Sequence, residues 1–188
     1  MDTTSAPSPF EVTSRHIGVA AEAAAAALFA RAGFDVSVQY GANQPEYDLI
    51  VARPLVAGLP DRSGDMLKVS VKGSKDGGWG LTQSLIRNAD YHSAAEAWLQ
   101  RHGPRTIFCL VQYKDVPIAA MPRVYLATPA EIASRLRQTA NGRGDTILHE
   151  RHVWSARAHA AGTVDEVPQS WRFSLDRIDQ LLDMLTRP

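Results

Sequence analysis

The sequence predicts an α/β domain with a mixed central sheet. Three observations predict it: a long alanine-rich helical segment at residues 17–31, three short alternating segments after it, and a continuous apolar run at residues 106–112 behind a second helical segment. Alternation is typical of a strand with one buried face, and a continuous apolar run is typical of a strand buried on both faces. This order of elements predicts one layered domain over residues 1–188.

The first helix has two candidate starting points. Ser8, followed by proline and then by a glutamate, fits a capping box, whereas Thr13 or Ser14 is an equally good N-cap. Residues 1–10 are expected to be loosely ordered, as chain termini often are. Gly33 is placed to end the helix, because glycine readily adopts the left-handed conformation of a C-cap.

Three strands are expected at residues 34–40, 47–51 and 67–72. A turn at residues 41–45 and a loop rich in proline and glycine, reaching Gly64, separate them. The third strand alternates strictly and therefore presents two ammonium groups and a hydroxyl on the face opposite its apolar side chains. Those three polar residues are Lys68, Ser70 and Lys72.

The second half of the chain alternates helices and strands. The predicted elements are a helix at 91–99 after Asp90, a central strand at 106–112, a strand at 123–127, a helix capped by Thr128 and reaching about residue 138, a strand within 146–154, and an amphipathic helix opening at Ser174. Glycines at residues 73–80 indicate either an ordinary wide connection or a close approach to a substrate, with Trp79 as a stacking surface.

Composition limits the function classes. Lysine and arginine balance aspartate and glutamate at 20 against 20, and the sequence pI is about 7.0. Any nucleic-acid binding must therefore come from a local patch or from a partner, since a general basic excess is lacking. Cys109 lies in an apolar strand and is expected to be a small buried side chain. No apolar run of about 18 residues and no signal-peptide n-region is present, so a cytoplasmic location without a membrane partner is expected.

Two acids and a lysine on the predicted first helix and strands are candidate site residues. Glu22 is the only charged residue between Ile17 and Ala30, and it marks either a solvent-facing stripe or a group directed at a cation beside the sheet. Asp48 heads the second strand, and Lys72 lies on the third. Oxygen ligands suit Mg²⁺, and a lysine offsets charge in the transition state, so these groups favour metal-dependent phosphodiester hydrolysis.

In these residues and in the order of its elements, the chain resembles the PD-(D/E)xK nuclease superfamily over roughly residues 15–130. This is the fold of many restriction endonucleases and Holliday-junction resolvases. The resemblance implies a restriction-endonuclease-like αβββαβ core with a C-terminal helical extension, and a Mg²⁺-dependent DNA endonuclease of restriction, repair or phage defence. Mn²⁺ is the implied substitute, and a homodimer is left open. The implied catalytic residues are Glu22, Asp48, Ser70 and Lys72, with Asp48 and Glu22 on the metal.

The chain departs from this pattern at two positions. Ser70 stands where the family has an acid, and a hydroxyl is a weaker Mg²⁺ ligand than a carboxylate. A catalytically inactive member that binds or regulates a partner is therefore the alternative function. Glu46 and Tyr47 replace the proline before Asp48, and Glu46 is not expected to be a ligand. A third alternative is an unrelated α/β domain in which the three charges never meet.

Two further groups of residues are candidates for a metal site and for a phosphate-binding patch. His149 and His152 are expected to be a surface pair rather than a metal site, because no third ligand is suitably spaced. Four arginines close in sequence form the best local candidate for a phosphate patch if they share a face. They are Arg135, Arg137, Arg143 and Arg151.

Overall fold

The fold is built on a five-stranded sheet flanked by helices. The computed structural model describes residues 11–39, 46–54, 65–156, 158 and 160–186. In chain order its elements are α1 (Ser14–Arg31), β1 (Asp35–Val38), β2 (Leu49–Ala52), β3 (Met66–Ser74), β4 (Gly78–Gly80), α2 (Tyr91–Leu99), β5 (Thr106–Gln112), β6 (Arg123–Ala127), α3 (Pro129–Gln138), β7 (Ile147–His149), β8 (Arg151–Val153), β9 (Val164–Glu166), a 3₁₀ turn (Gln169–Trp171) and α4 (Leu175–Thr186). The Ser8 cap, the turn at 41–45 and most of the loop up to Gly64 lie outside the described residues.

The central sheet is mixed, as the sequence predicts. Its strands are ordered β1-β2-β3-β5-β6, and β3 and β5 run parallel whereas the other neighbours are antiparallel. Apolar residues of α1 and α4 pack with the sheet in one buried cluster, and those of α2 and α3 belong to a second. A helix–sheet–helix arrangement results, with β3 at the middle of the sheet.

The start and the end of α1 follow local capping rules. Thr13 is the N-cap: its hydroxyl accepts the His16 N–H at 3.4 Å, and its own N–H donates to Nδ1 of His16 at 3.1 Å. His16, a lone histidine in the sequence, is thus a capping residue. Gly33 follows the helix at φ +86°, the left-handed conformation that ends helices.

Several predicted boundaries are wrong by a few residues. Strand β2 begins at Leu49, so Asp48 precedes the strand instead of heading it. Strand β3 continues to Ser74, and the glycine-rich segment after it contains β4, which pairs with β7. The predicted strand at 146–154 is two short strands, because β7 pairs with β4 whereas β8 pairs with β9. The Glu150 carboxylate, between them, accepts hydrogen bonds from Arg123 and Tyr125.

Strand β5 is the most buried strand of the sheet. All seven of its residues are buried, which confirms the prediction of a central strand at 106–112. Cys109 is fully buried opposite Val71 of β3, and burial raises the pKa of its thiol. Among the described residues no helix combines the length and the apolar character that crossing a membrane requires.

Candidate functional site

The candidate site lies where β2 separates from β3. The last ladder pair at this end joins Leu49 to Val69, and the Asp48 N–H still donates to the Val69 carbonyl at 2.9 Å. The next amide of β3 that would need a partner is that of Val71, and it donates to Oδ2 of Asp48 at 2.6 Å. The Asp48 carboxylate thus accepts the Val71 N–H, which has no backbone partner on β2 once β2 and β3 separate. Its second oxygen receives no hydrogen bond from the described residues.

Glu22 is held beside this opening by the close packing of α1 on the sheet. Ala21 and Ala25 are fully buried under the helix. At Gly73 the helix comes so near that an added Cβ would lie 2.8 Å from the Ile17 carbonyl oxygen and 2.9 Å from the Ala21 side chain. Glu22, next to Ala21, is half-buried at this contact.

Asp48 and Lys72 both influence the Glu22 carboxyl. Burial raises the pKa of the Glu22 carboxyl, the negative charge of Asp48 raises it further, and the positive charge of Lys72 lowers it. Exposed charges more than about 10 Å apart are largely screened in ordinary buffers. Glu22 is therefore within electrostatic reach of Asp48 and Lys72.

Ser70 and Lys72 share one face of β3. Ser70 is only 3% exposed, and its hydroxyl makes no hydrogen bond within the part of the chain that the structure describes. The Lys72 side chain is exposed and also has no carboxylate within ion-pair distance among those residues. A hydroxyl and an ammonium group without protein partners, next to two acids, can bind water or a phosphate oxygen.

Trp79 supports the site from inside the fold and does not stack on a ligand. It is 2% exposed, and its ring lies edge-on to Tyr125 with centroids 6.2 Å apart. Its indole N–H donates to the Lys72 carbonyl at 2.9 Å, which fixes the backbone at the lysine. The glycines around it are therefore structural: Gly78 and Gly80 lie in β4, and an added Cβ at Gly78 would come within 2.8 Å of Ile147.

A cavity of about 210 Å³ opens beside Lys72. It is bounded by the first turns of α1 at Ser14 and Ile17 and by the chain from β3 to Leu81, including Asp76. Glu22 and Asp48 do not line it. The cavity therefore adjoins Lys72 but is bounded by neither of the two acids.

His102 is a residue of this region that sequence reasoning missed. Its ring packs edge-on against Trp98 and Phe108, with centroids 4.4 and 5.0 Å away, and Phe108 is the β5 partner of Ser70. Burial lowers the pKa of His102, Glu46 raises it, and Lys72 lowers it. A neutral imidazole thus lies near Lys72, with both ring nitrogens buried and unbonded among the described residues. A single histidine after a helix gives no signal of this in the sequence.

The carboxylates of Asp48 and Glu22 suit only a cation that keeps several of its own water molecules as ligands. Among the described residues, no group of three His, Cys, Asp or Glu side chains could hold a metal ion together. Asp48 and Glu22 provide two carboxylates, and one Asp48 oxygen already accepts the Val71 N–H. Mg²⁺ is often bound by one or two carboxylates and keeps several of its waters, so these residues fit that ion and not a cage of protein ligands alone.

The other candidate groups have structural partners. His149 is not a surface residue, contrary to expectation: its side chain is 15% exposed, its Nε2 lies 3.1 Å from Asp145, and its ring stacks on His152 at 4.4 Å. Three of the four arginines pair with acids, so they do not form an unpaired phosphate patch. These pairs are Arg135–Asp165 at 3.2 Å, Arg137–Glu96 at 2.9 Å and Arg151–Glu166 at 4.0 Å. Arg143 lies over the Tyr91 ring.

Fold and side chains together define an α/β protein with a mixed central sheet, in which the Asp48 carboxylate accepts a β3 amide where β2 and β3 part. Comparison with protein-family models, with curated proteins and with solved structures finds no match to this chain. The functional argument therefore depends on the residues themselves.

Proposed function

We propose that this protein is a Mg²⁺-dependent DNA endonuclease with a restriction-endonuclease-like core, in which Glu22, Asp48, Ser70 and Lys72 form the catalytic site. The observation that carries the proposal is that Asp48 and Lys72 both act on the Glu22 carboxyl, at the point where β2 leaves β3. Two acids that influence each other are unfavourable without a cation, which supports a cation-binding role for Glu22 and Asp48.

Each residue has a role that its surroundings support. Asp48, through its second oxygen, and Glu22 would hold the ion, which supplies a Lewis acid and an activated water when it is bound. Lys72 offers an ammonium group to the charge that develops on the phosphate. Ser70 offers a hydroxyl that can orient a water molecule, because it has no hydrogen-bond partner among the described residues.

A catalytically inactive binding or regulatory protein of the same fold is the second candidate. Two observations favour it: one Asp48 oxygen is engaged with the Val71 amide, and a serine occupies the position where a third acid would complete the ligand shell. Binding would then depend on the same cations, while the rate of phosphodiester cleavage would not exceed background.

Cleavage by the Lys72→Ala variant separates these candidates. Wild type and variant are incubated with a mixed set of DNA substrates in Mg²⁺ and in Mn²⁺. Removal of the ammonium group is expected to lower the cleavage rate about 100-fold or more. The fold should survive, since this side chain is exposed. Lys114→Ala, at another exposed lysine, is the control and should cleave like the wild type.

The possible results point in different directions. Equal cleavage by wild type and Lys72→Ala would contradict the assigned site. DNA binding without cleavage by the wild type would favour the inactive binding protein. Neither binding nor cleavage on any substrate would leave the unrelated α/β domain as the best description.

A further inference from the structure

Among the described residues, the helices on one face of the sheet pack over β5 and β6. On that face α2 and α3 pack over β5 and β6, where Phe108 and Leu110 belong to their apolar cluster. Within the described residues, no side chain of β1, β2 or β3 joins this cluster. The same face of β2 and β3 presents Ile50, Lys68 and Met66, and Met66 is 47% exposed.

A groove lies on the half of this face that β2 and β3 form. It has a volume of about 260 Å³ and is lined by Ile50, Met66, Leu67, Lys68, Pro104 and Arg105. The Arg105 carbonyl accepts the Lys68 N–H at 2.8 Å, so the α2–β5 connection is tied to β3. The Lys68 ammonium lies 5.6 Å from the centre of the Tyr47 ring, which brings an aromatic surface to the groove.

The charge in this groove is positive and unpaired. Lys68 and Arg105 are exposed, and neither has a carboxylate within 4.0 Å among the described residues. Lys72 lies on the same face four residues further along β3, roughly 13 Å away at the rise of a strand. Two described acids are close to this row: Asp48, which accepts the Val71 N–H, and Asp65, which directly precedes β3. In a chain with no net charge this row is a local basic surface.

We propose that this groove binds the sugar–phosphate backbone of the DNA strand next to the cleavage position, with Lys68 and Arg105 contacting successive phosphates. The proposal rests on the endonuclease function proposed above and assigns the substrate contacts that the neutral chain otherwise lacks. Lys72 of the candidate site lies further along the same face of β3, beyond the buried Ser70, so a DNA strand that extends from the groove along β3 comes close to the Lys72 ammonium. Tyr47 and the apolar floor at Ile50 suit the faces of bases.

The contact is expected to be independent of base sequence. Lysine and arginine bound to phosphates fix the register of a nucleic acid but do not read it, and their contribution falls with salt as counterions are released. A polypeptide partner would instead need acids at matching positions, and its affinity would not follow the counterion slope of DNA.

The test is equilibrium binding of fluorescein-labelled DNA, single-stranded and duplex, to the full chain in EDTA over a range of salt concentrations. Lys68→Gln and Arg105→Gln keep most of each side chain but remove its charge. Each is expected to weaken binding about tenfold and to reduce the slope of log K against log salt by about one. Lys68→Arg should restore both values. Lys114→Gln, beyond the opposite end of β5, is the control and should match the wild type.

Cleavage of the same DNA in Mg²⁺ keeps the two proposals apart. If the wild type cleaves DNA, and Lys68→Gln and Arg105→Gln bind it with unchanged affinity and unchanged salt dependence, the DNA-binding role of the groove is refuted while the endonuclease function stands. Binding that weakens as expected, without cleavage by the wild type, would support the groove and refute the endonuclease. A third result is that the wild type forms a homodimer that Met66→Glu dissociates and binds no DNA. That result would show that the groove binds a second copy of the chain, and it would refute the proposal.

Discussion

Asp48 has two roles in the proposed site, one in the fold and one in the chemistry, and two substitutions separate them. Asp48→Ala removes both the charge and the acceptor of the 2.6 Å hydrogen bond from Val71. Asp48→Asn removes the charge but keeps an oxygen that can accept the same N–H. The two variants should therefore differ in stability and agree in the loss of chemistry.

The magnitudes follow from the hydrogen bond and its neighbours. A hydrogen bond to a charged group contributes about 1.5–3 kcal/mol, so Asp48→Ala should lower the free energy of unfolding by that amount. For a chain of this length each kcal/mol shifts the melting temperature by about 2–4 °C. A neutral acceptor is roughly half as strong as a charged one, so Asp48→Asn keeps about half of this contribution. Both variants lose the repulsion between Asp48 and Glu22, which lowers the cost of each by the same amount. Asp48→Asn should therefore stay within about 1 kcal/mol of the wild type.

Urea unfolding gives the stability, titration calorimetry gives Mg²⁺ and Mn²⁺ binding, and the DNA assay gives the rate. Both variants should lose metal binding and cleavage, while Asp48→Ala should lose more stability than Asp48→Asn. Cleavage by Asp48→Asn at the wild-type rate would refute the catalytic role and leave Asp48 as a residue that only joins two strands. Equal loss of stability in both variants would refute the assignment of that stability to the Val71 hydrogen bond.

Two further predictions concern how α1 presents its acid. The pKa of Glu22 is raised in the folded protein, so the stability from this group is complete below its unfolded pKa and is lost as pH rises through the folded pKa. Glu22→Gln should therefore be more stable than the wild type at pH 7 and equal to it near pH 3 in thermal melts; a gain that persists at low pH would contradict the electrostatic reasoning. Gly73→Ala should cost about 1–3 kcal/mol by pushing Ile17 and Ala21 away from β3 and should slow cleavage, whereas unchanged melting would mean that α1 can move without cost.

Elements with both a periodic pattern and a local boundary signal could be predicted closely from the sequence. The strand at 106–112 and the helix that follows Thr128 have the predicted bounds, because a continuous apolar run and a capping residue with proline fix them locally. The predicted strand at 47–51 begins two residues too early. The first residue of β2 is set by the point where its pairing with β3 ends, and this point depends on both strands, so the sequence of β2 alone does not show it. Strand β4 was missed because its three residues gain their pairing from β7, almost 70 residues later.

In the candidate site, too, features set by the local sequence could be predicted, and features that depend on distant segments could not. The residue types and their order predict Glu22, Asp48 and Lys72 as site residues, and the structure adds that the charges of Asp48 and Lys72 both influence the Glu22 carboxyl. The hydrogen bond that occupies Asp48 and the position of His102 could not be predicted, since each depends on a backbone or a ring from a distant segment. Trp79 remained ambiguous in the sequence for a related reason: only the fold shows that its indole points inward.

The single cysteine of the chain makes the centre of this sheet open to direct measurement. Cys109 is fully buried and pairs with Val71, one residue from both Ser70 and Lys72. A thiol reagent reacts with the thiolate, and burial keeps this group protonated and out of reach while β3 and β5 remain paired. The rate of its labelling therefore reports how often the strand that carries the candidate site opens, without any probe being introduced.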